Sequence, residues 1–311
     1  MNAKRSAGSL APACVLSIWA GPAAAHGGSG DLLSLDAWSA EPTILVPLYI
    51  AAILYLLGTR RVWRRAGVGR GVRYGQAACF WTGWTVLALA LLSPMHWLSE
   101  HLFTAHMVEH EILMAVAAPL LVMARPGGAW LWALPPSWRP VLGGLGQASA
   151  VSWLWRWHSD PLVATILHGA AIWLWHVPAL FEAAVVSEAV HWLQHLTFLV
   201  TGLFFWWALI WGRARERGYG AAAIYLFATA THTGFLGVLL SFAREPWYPT
   251  QTAFAAEWGL TPLEDQQLAG LVMWVPAGLI YVGAALALVG LWIARSGSIG
   301  TQGGQLVRPV P

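Results

Sequence analysis

The fold class of this chain is decided by one stretch, LFTAHMVEHEILMAVAAPLLVM, at residues 102–123. The stretch is long enough to cross a bilayer core, for which a helix needs roughly 20 predominantly apolar residues. Two histidines and two glutamates lie in its first half, and polar side chains inside a membrane helix are costly and usually face a site or another helix. The stretch therefore predicts a membrane-spanning helix with a polar site near its beginning.

The composition of the whole chain agrees with a membrane protein. Of 311 residues, 58% are hydrophobic and only 10% are charged, which does not describe a soluble domain. The 22 tryptophans fit the two membrane interfaces, where an apolar ring with a polar edge is favoured. The formal net charge of +3 comes from arginines in short loops rather than from a basic patch, so the sequence predicts no nucleic-acid partner.

Six further stretches have the length and composition of membrane spans. The sequence therefore predicts an all-α, polytopic helix bundle with a seven-span membrane domain at residues 26–295. A mixed Trp-rich and Pro-rich segment at residues 126–157 is expected to lie at the membrane interface. The predicted spans are residues 42–58, 76–94, 102–123, 161–181, 189–211, 220–242 and 264–293.

The two ends of the chain carry separate expectations. Lys4 and Arg5 precede an apolar run and small residues, the pattern of a secretory signal peptide at residues 1–25. Cleavage would remove Cys14 and leave Cys79 alone, so no intramolecular disulfide is expected. The Gly-rich segment at residues 296–311 predicts a disordered cytoplasmic tail.

The arginines predict how the bundle is oriented. Loops rich in Lys and Arg stay cytoplasmic. If the chain begins outside after signal cleavage, every arginine of the mature chain except Arg244 lies on the cytoplasmic side. The predicted location is a bacterial inner membrane, with the N-terminus external and the C-terminus cytoplasmic. The cytoplasmic arginines are Arg60, Arg61, Arg64, Arg65, Arg70, Arg73, Arg125, Arg139, Arg156, Arg213, Arg215, Arg217, Arg295 and Arg308.

Histidines gather toward the external face in this topology. His106 with His110, and His191 with His195, are each four residues apart, so both rings of a pair lie on one face of a helix. Both helices enter from outside, so the two pairs lie at similar depth. Soft thioethers in the same regions favour copper as the metal; they belong to Met95, Met107, Met114 and Met273.

Other polar residues have structural explanations. His168 is expected only to hydrogen-bond to a backbone carbonyl or to a neighbouring helix, and the sequence assigns no role to His232. His26 would become the mature N-terminus and could chelate a metal, although a flexible terminus is the ordinary expectation. Thr261 and Glu264 form a capping-box pattern. The polar residues that follow could hydrogen-bond to a metal ligand and so orient it; they are Asp265, Gln266 and Gln267.

Several motifs in order resemble the polytopic CtaG family of cytochrome c oxidase assembly proteins. They are FTAHMVEH at 103–110 with LM at 113–114 and APLL at 118–121, HVP at 176–178, HWLQH at 191–195, LEDQQLAG at 263–270 and MWVP at 273–276. The resemblance implies a seven-span assembly factor, needed for maturation of a haem-copper terminal oxidase and suspected of supporting copper delivery. The metal ligands that it implies are His106, His110, His176, His191 and His195.

The leading hypothesis is a non-enzymatic assembly factor that binds copper and passes it to an oxidase subunit in the membrane. Two alternatives stay open. The segment from His106 to His110 also matches the HxxEH pattern of inverted zinc proteases, with Glu109 as the general base. His176 and His195 could instead ligate a haem in a membrane electron carrier. The sequence gives no indication of the oligomeric state.

Overall fold

The computed structural model describes residues 38–212 and 218–303 of the chain. The predicted signal peptide, His26 and the last part of the predicted tail lie outside the described residues. Within these two ranges every regular element is helical, and no strand is present. The elements are α1 (Pro42–Ala66), α2 (Tyr74–Leu92), α3 (Pro94–His101), α4 (Phe103–Ala124), α5 (Gly127–Ala133), α6 (Trp138–Gln147), α7 (Ser149–His158), α8 (Pro161–Trp175), α9 (Pro178–Val186), α10 (Glu188–Ile210), α11 (Tyr219–Ser241), a 3₁₀ turn (Ala255–Trp258) and α12 (Pro262–Gly303).

The predicted all-α polytopic bundle is confirmed. Six of the described helices are long and apolar enough to cross a membrane, namely α1, α2, α4, α10, α11 and α12. The expected fourth span differs from a simple helix. It is broken into α8 and α9, which meet at an angle of 74°, and the total is seven if this bent pair counts as one span. The break falls at His176 and Val177 because Pro178 disfavours helical backbone in the residue before it.

Successive spans alternate in direction, which brings several helix ends together. The histidine end of the bundle is defined here as the end that carries the beginnings of α1, α4, α10 and α12. The ends of α2, α8 and α11 lie at the same end, and α3 crosses there between α2 and α4. Helix α4 occupies the centre of the bundle, where it packs against α2, α10 and α12.

Helix α4 contains an irregular segment just after its polar first half. Residues Ile112–Ala117 form a π-helical stretch, and α-helix resumes at Ala118. A π-segment shifts the angular register of the residues that follow it, and such segments are frequent at functional sites. The indole of Trp206 on α10 donates a hydrogen bond of 2.9 Å to the carbonyl of Met114 inside this segment. The irregular turn is therefore tied to the neighbouring helix.

Helices α11 and α12 approach until their backbones touch. A Cβ atom added to Gly237 would lie 2.7 Å from the carbonyl oxygen of Gly270, and one added to Gly270 would lie 2.6 Å from the carbonyl oxygen of Gly237. Small residues at such crossings let membrane helices pack closely. Because α12 also packs on α4, this crossing helps to fix the helix that carries the first histidine pair.

The crossing makes a testable prediction. Gly270→Ala should destabilise the bundle by roughly 1–3 kcal/mol, because overpacking a tight contact forces backbone shifts. Gly278→Ala on the same helix is the matched control, since a Cβ at Gly278 meets nothing within 4 Å. The measurement is the apparent Tm of the purified protein in detergent. Equal Tm values for the two variants would contradict the close packing described for Gly270.

The segment predicted to lie at the interface forms short helices. Helices α6 and α7 bury none of their residues, and Trp138 and Trp153 are exposed. These features agree with an amphipathic connector at a membrane surface. At the other end of the chain, α12 continues past Ser296 to Gly303. The helix thus extends beyond the predicted span, which ends at residue 293.

Candidate metal centre

The first histidine pair depends on the way α4 begins. Leu102 at the N-cap has no side chain that can accept hydrogen bonds from the first amides of the helix. Asp265 of α12 does so instead, since its carboxylate accepts hydrogen bonds from the backbone N–H of Phe103 at 2.8 Å and of Thr104 at 2.9 Å. Asp265 is fully buried. A side chain from α12 therefore caps the helix three residues before His106.

The two predicted pairs meet at the histidine end. His106 lies three residues after the start of α4, and His191 lies three residues after the start of α10, so the pairs begin at equal depth. Ring centroids are 4.2 Å apart within the first pair and 4.3 Å apart within the second. Across the helices, His110 and His195 are 5.0 Å apart, and His106 and His191 are 5.6 Å apart. The structure thus brings together four of the five predicted ligands.

A further histidine, His96 on α3, joins this group. Its ring lies 5.6 Å from the ring of His191 and 6.2 Å from that of His195. His96 falls between the predicted spans at residues 76–94 and 102–123, where the sequence predicts a short external loop. Ser93 and Pro94, however, form an N-cap and first-turn proline that start a short helix over the cluster. This Ser-Pro signal could have predicted the short helix, but not the direction in which His96 points.

Glu109 on α4 holds His96 in place. The Nδ1 atom of His96 lies 2.8 Å from Oε1 of Glu109, whose side chain is fully buried. Burial alone would lower the pKa of His96, but the hydrogen bond and negative charge of Glu109 leave that pKa above its ordinary value of 6.5. In many metal sites a carboxylate accepts a hydrogen bond from the ring nitrogen that does not bind the metal, and so orients the imidazole.

His176, the fifth predicted ligand, lies beside the cluster. Its Nδ1 donates a hydrogen bond of 2.7 Å to the carbonyl of Ile172, so its other nitrogen faces away from the backbone of α8. The ring packs near Phe181 and Phe198. The same two phenylalanines contact His106 and His110, respectively. His176 therefore lies at the break between α8 and α9, separated from the other histidines by phenylalanines that both sides contact.

Two more histidines lie deeper in the bundle. The Nδ1 atom of His168 is 3.1 Å from the hydroxyl of Thr201 on α10, and a neighbouring helix is one of the two partners expected for it. The ring of His232 on α11 packs against the backbone of α8, since a Cβ at Gly169 would lie 3.2 Å from its Nε2. Neither residue belongs to the cluster described above.

Three of the four methionines in these regions are packed in the apolar core. Met107, Met114 and Met273 are buried in one apolar cluster with Phe103 and Phe198. Their thioethers thus contribute to packing. The glutamine between the second histidine pair, Gln194, is fully buried, and its amide has no hydrogen-bond partner in the described part of the chain.

"Histidine cluster" denotes here His96, His106, His110, His191 and His195. The chemistry of this donor set fits a metal, because buried polar atoms without partners cost free energy. Among the described residues, both ring nitrogens of His106, His110 and His195 lack a hydrogen-bond partner, as do Nε2 of His191 and of the adjacent His176. Neutral imidazole is a good ligand for copper and zinc.

The rings are gathered but not arranged as a finished coordination sphere. No three His, Cys, Asp or Glu side chains within residues 38–212 and 218–303 already form a group that could hold a metal ion. Binding would thus require the imidazoles to rotate about their side-chain torsions. The backbone already places the rings within reach of one another.

Comparison with known proteins identifies relatives. The family model described as "Cytochrome c oxidase caa3 assembly factor (Caa3_CtaG)" matches residues 53–295. This range includes the whole histidine cluster and Asp265, which caps α4. No solved structure matches the chain.

The curated relatives are mycobacterial proteins described as uncharacterized. The relatives from Mycobacterium bovis and Mycobacterium tuberculosis are each 26% identical over 269 residues, which is 83% of this chain and 40% of theirs. A protein of Mycobacterium leprae is 26% identical over 273 residues, covering 82% of this chain and 39% of its own length. The chain thus spans about 40% of the length of these relatives.

Proposed function

Because this chain belongs to the family of cytochrome c oxidase caa3 assembly factors, we propose that it supports maturation of a haem-copper oxidase by binding copper at the histidine cluster. The role is that of a non-enzymatic factor that holds the metal and passes it to an oxidase subunit within the membrane. The proposed location is a bacterial inner membrane, with the histidine end outside, as the distribution of arginines predicts.

One observation carries the metal role. Imidazoles of α3 and α4 each lie with their ring centroids 5.0–5.6 Å from an imidazole of α10, and most of the ring nitrogens in the cluster are buried and unpartnered. An apolar core would avoid such groups, because each unpaired polar atom in a low-dielectric site is costly. Coordination of a metal would satisfy them. Copper is favoured over hard cations because imidazole nitrogen is the better ligand for it.

Complementation of a deletion strain tests the function. Deletion should lower both the activity and the copper content of the oxidase, and the wild-type chain should restore both. A His106→Leu or His195→Leu chain should restore neither, whereas His158→Leu, the control on α7 outside the cluster, should restore both. Immunoblots of the membranes must show equal amounts of each variant. Full rescue by the two cluster variants would refute the proposed role of the cluster.

The same strain separates this proposal from the zinc-protease alternative. A protease would need the carboxylate of Glu109 as general base and would lose its function in Glu109→Gln. In the proposed role Glu109 only holds His96, and the amide oxygen of glutamine can accept the hydrogen bond from Nδ1 of a neutral His96. We therefore expect Glu109→Gln to retain most of the oxidase assembly. Complete loss at normal protein levels would favour the enzyme.

A further inference from the structure

Three carboxylates lie beside the histidine cluster at the histidine end of the bundle. They belong to Glu41, the residue before α1, to Glu100 on the short helix α3, and to Glu188, the first residue of α10. Glu100 and Glu188 are exposed, and Glu41 is half-buried. These three side chains are called here the rim carboxylates.

The rim carboxylates influence one another and His96. Burial, and then the negative charges of Glu188 and Glu100, raise the pKa of the Glu41 carboxyl above its ordinary value. A positive charge on His96 acts on the same carboxyl in the opposite direction. The three acidic side chains therefore share one region, and a ring of the histidine cluster lies within their field.

No cation of the described chain neutralises the rim carboxylates. Among residues 38–212 and 218–303, neither Lys nor Arg forms an ion pair with any of them. Glu41 does not cap α1 either, since its side chain accepts no hydrogen bond from the first amides of that helix. Like charges gathered in one place disfavour each other's ionised form. A cation that arrives from outside would relieve this repulsion.

The rim carboxylates border the open side of the histidine cluster. Most ring nitrogens of the cluster are sealed inside the protein, but Nε2 of His96 and Nδ1 of His191 are not among the sealed atoms. Nε2 of His96 lies 3.9 Å from Oε1 of Glu100, which is too long for a hydrogen bond. His96 as a whole is only 4% exposed. A buried ring thus directs an unpartnered nitrogen toward the rim.

Glu188 is connected to the same place through Trp192. The indole N–H of Trp192 donates a hydrogen bond of 3.3 Å to Oε1 of Glu188. The indole ring also stacks on the rings of His96 and His191, with centroids 5.5 and 5.6 Å apart. Trp192 therefore forms a wall beside the two open nitrogens, and its fluorescence should respond when a metal ion arrives there.

We propose that the rim carboxylates form the entry through which a metal cation reaches the histidine cluster, with Nε2 of His96 as the first nitrogen that it meets. The carboxylates attract the cation and raise its local concentration, and the imidazoles, which are softer ligands, then bind it. The inference rests on the proposed copper role and adds the route by which the cluster is loaded. The carboxylates are not among the final ligands.

The rate of metal association tests the entry. Stopped-flow tryptophan fluorescence follows binding of Ag⁺, a redox-stable substitute for Cu(I), to the purified full-length chain in nitrate buffer of low ionic strength. The triple variant Glu41→Gln, Glu100→Gln, Glu188→Gln should bind about tenfold more slowly than the wild type, at the lower end of the gain that charged clefts give to association. The difference should shrink at high salt, which screens exposed charges.

A second triple variant is the matched control. Glu245→Gln, Glu257→Gln, Glu264→Gln removes the same total charge from exposed positions at the same end of the bundle. Because these positions are outside the rim, its association rate should stay close to that of the wild type. Equal rates in the two triple variants would overturn the proposed entry.

Charge reversal and an equilibrium titration complete the test. Glu100→Arg should slow association more than Glu100→Gln, whereas Glu257→Arg should have little effect. The wild type and both triple variants should still bind one equivalent of Cu(I) at equilibrium, because the histidines are unchanged. Failure of the wild type to bind Cu(I) would remove the proposed function and the entry with it. Normal Cu(I) binding with rates that do not depend on the rim would overturn the entry alone.

Discussion

Replacing His110 and His195 together with leucine is expected to lower the affinity of the purified protein for Cu(I) by more than about 100-fold. Removing a residue that only hydrogen-bonds to a metal ligand already lowers metal affinity roughly 10- to 100-fold. The two side chains replaced here are proposed to be ligands themselves. Their rings lie 5.0 Å apart on different helices, at the centre of the cluster. The measurement is a competition titration against a chelator of Cu(I) under reducing conditions.

Leucine is chosen because it fills much of the space of an imidazole without a polar atom. The double variant should fold, since removing unpartnered buried nitrogens relieves a cost rather than creating one. An unchanged apparent Tm would show this directly. His158→Leu serves as the control again and should bind copper normally. Equal Cu(I) affinity in the double variant and the control would show that the cluster is not the site.

Removing the carboxylate of Asp265 should destabilise the protein by on the order of 3 kcal/mol or more. Asp265→Ala leaves the buried backbone N–H groups of Phe103 and Thr104 without an acceptor, at the start of the helix that carries His106. The apparent Tm in detergent should fall, and Cu(I) affinity should fall with it because the first pair loses its fixed position. Asp265 thus acts on the cluster as a positioning residue.

Glu264 provides the neighbouring control for this experiment. It is exposed and only completes the capping box with Thr261, whose backbone N–H donates to its carboxylate at 2.8 Å. Glu264→Ala should therefore change Tm much less than Asp265→Ala and should leave copper binding intact. If both variants behaved like the wild type, the proposed dependence of α4 on Asp265 would be wrong.

Much of the architecture follows from periodicity and length alone. Apolar runs predict the spans, and the spacing of four predicts that His106 and His110 share one helix face, as do His191 and His195. The capping box at Thr261 and Glu264 is also confirmed. These features are local in sequence, so no knowledge of the tertiary arrangement is needed to predict them.

Features that depend on contacts between distant segments could not be predicted in this way. The sequence predicts that Asp265 could orient a metal ligand, whereas in the structure its carboxylate caps α4 across the bundle. The contact of His96 with Glu109 depends on the fold of α3 over the cluster. The π-helical segment at Ile112–Ala117 is stabilised by packing and by the indole of Trp206, neither of which leaves a simple pattern in the sequence.

X-ray absorption spectroscopy at the copper edge tests the central claim most directly. The protein is loaded with one equivalent of Cu(I), and the spectrum reports the atoms bound to the metal. Imidazole ligands held by α4 and α10 should give nitrogen scattering with the multiple-scattering pattern of histidine rings, and the His110→Leu, His195→Leu variant should lose it. A first shell without imidazole, or an identical spectrum from that variant, would contradict the account.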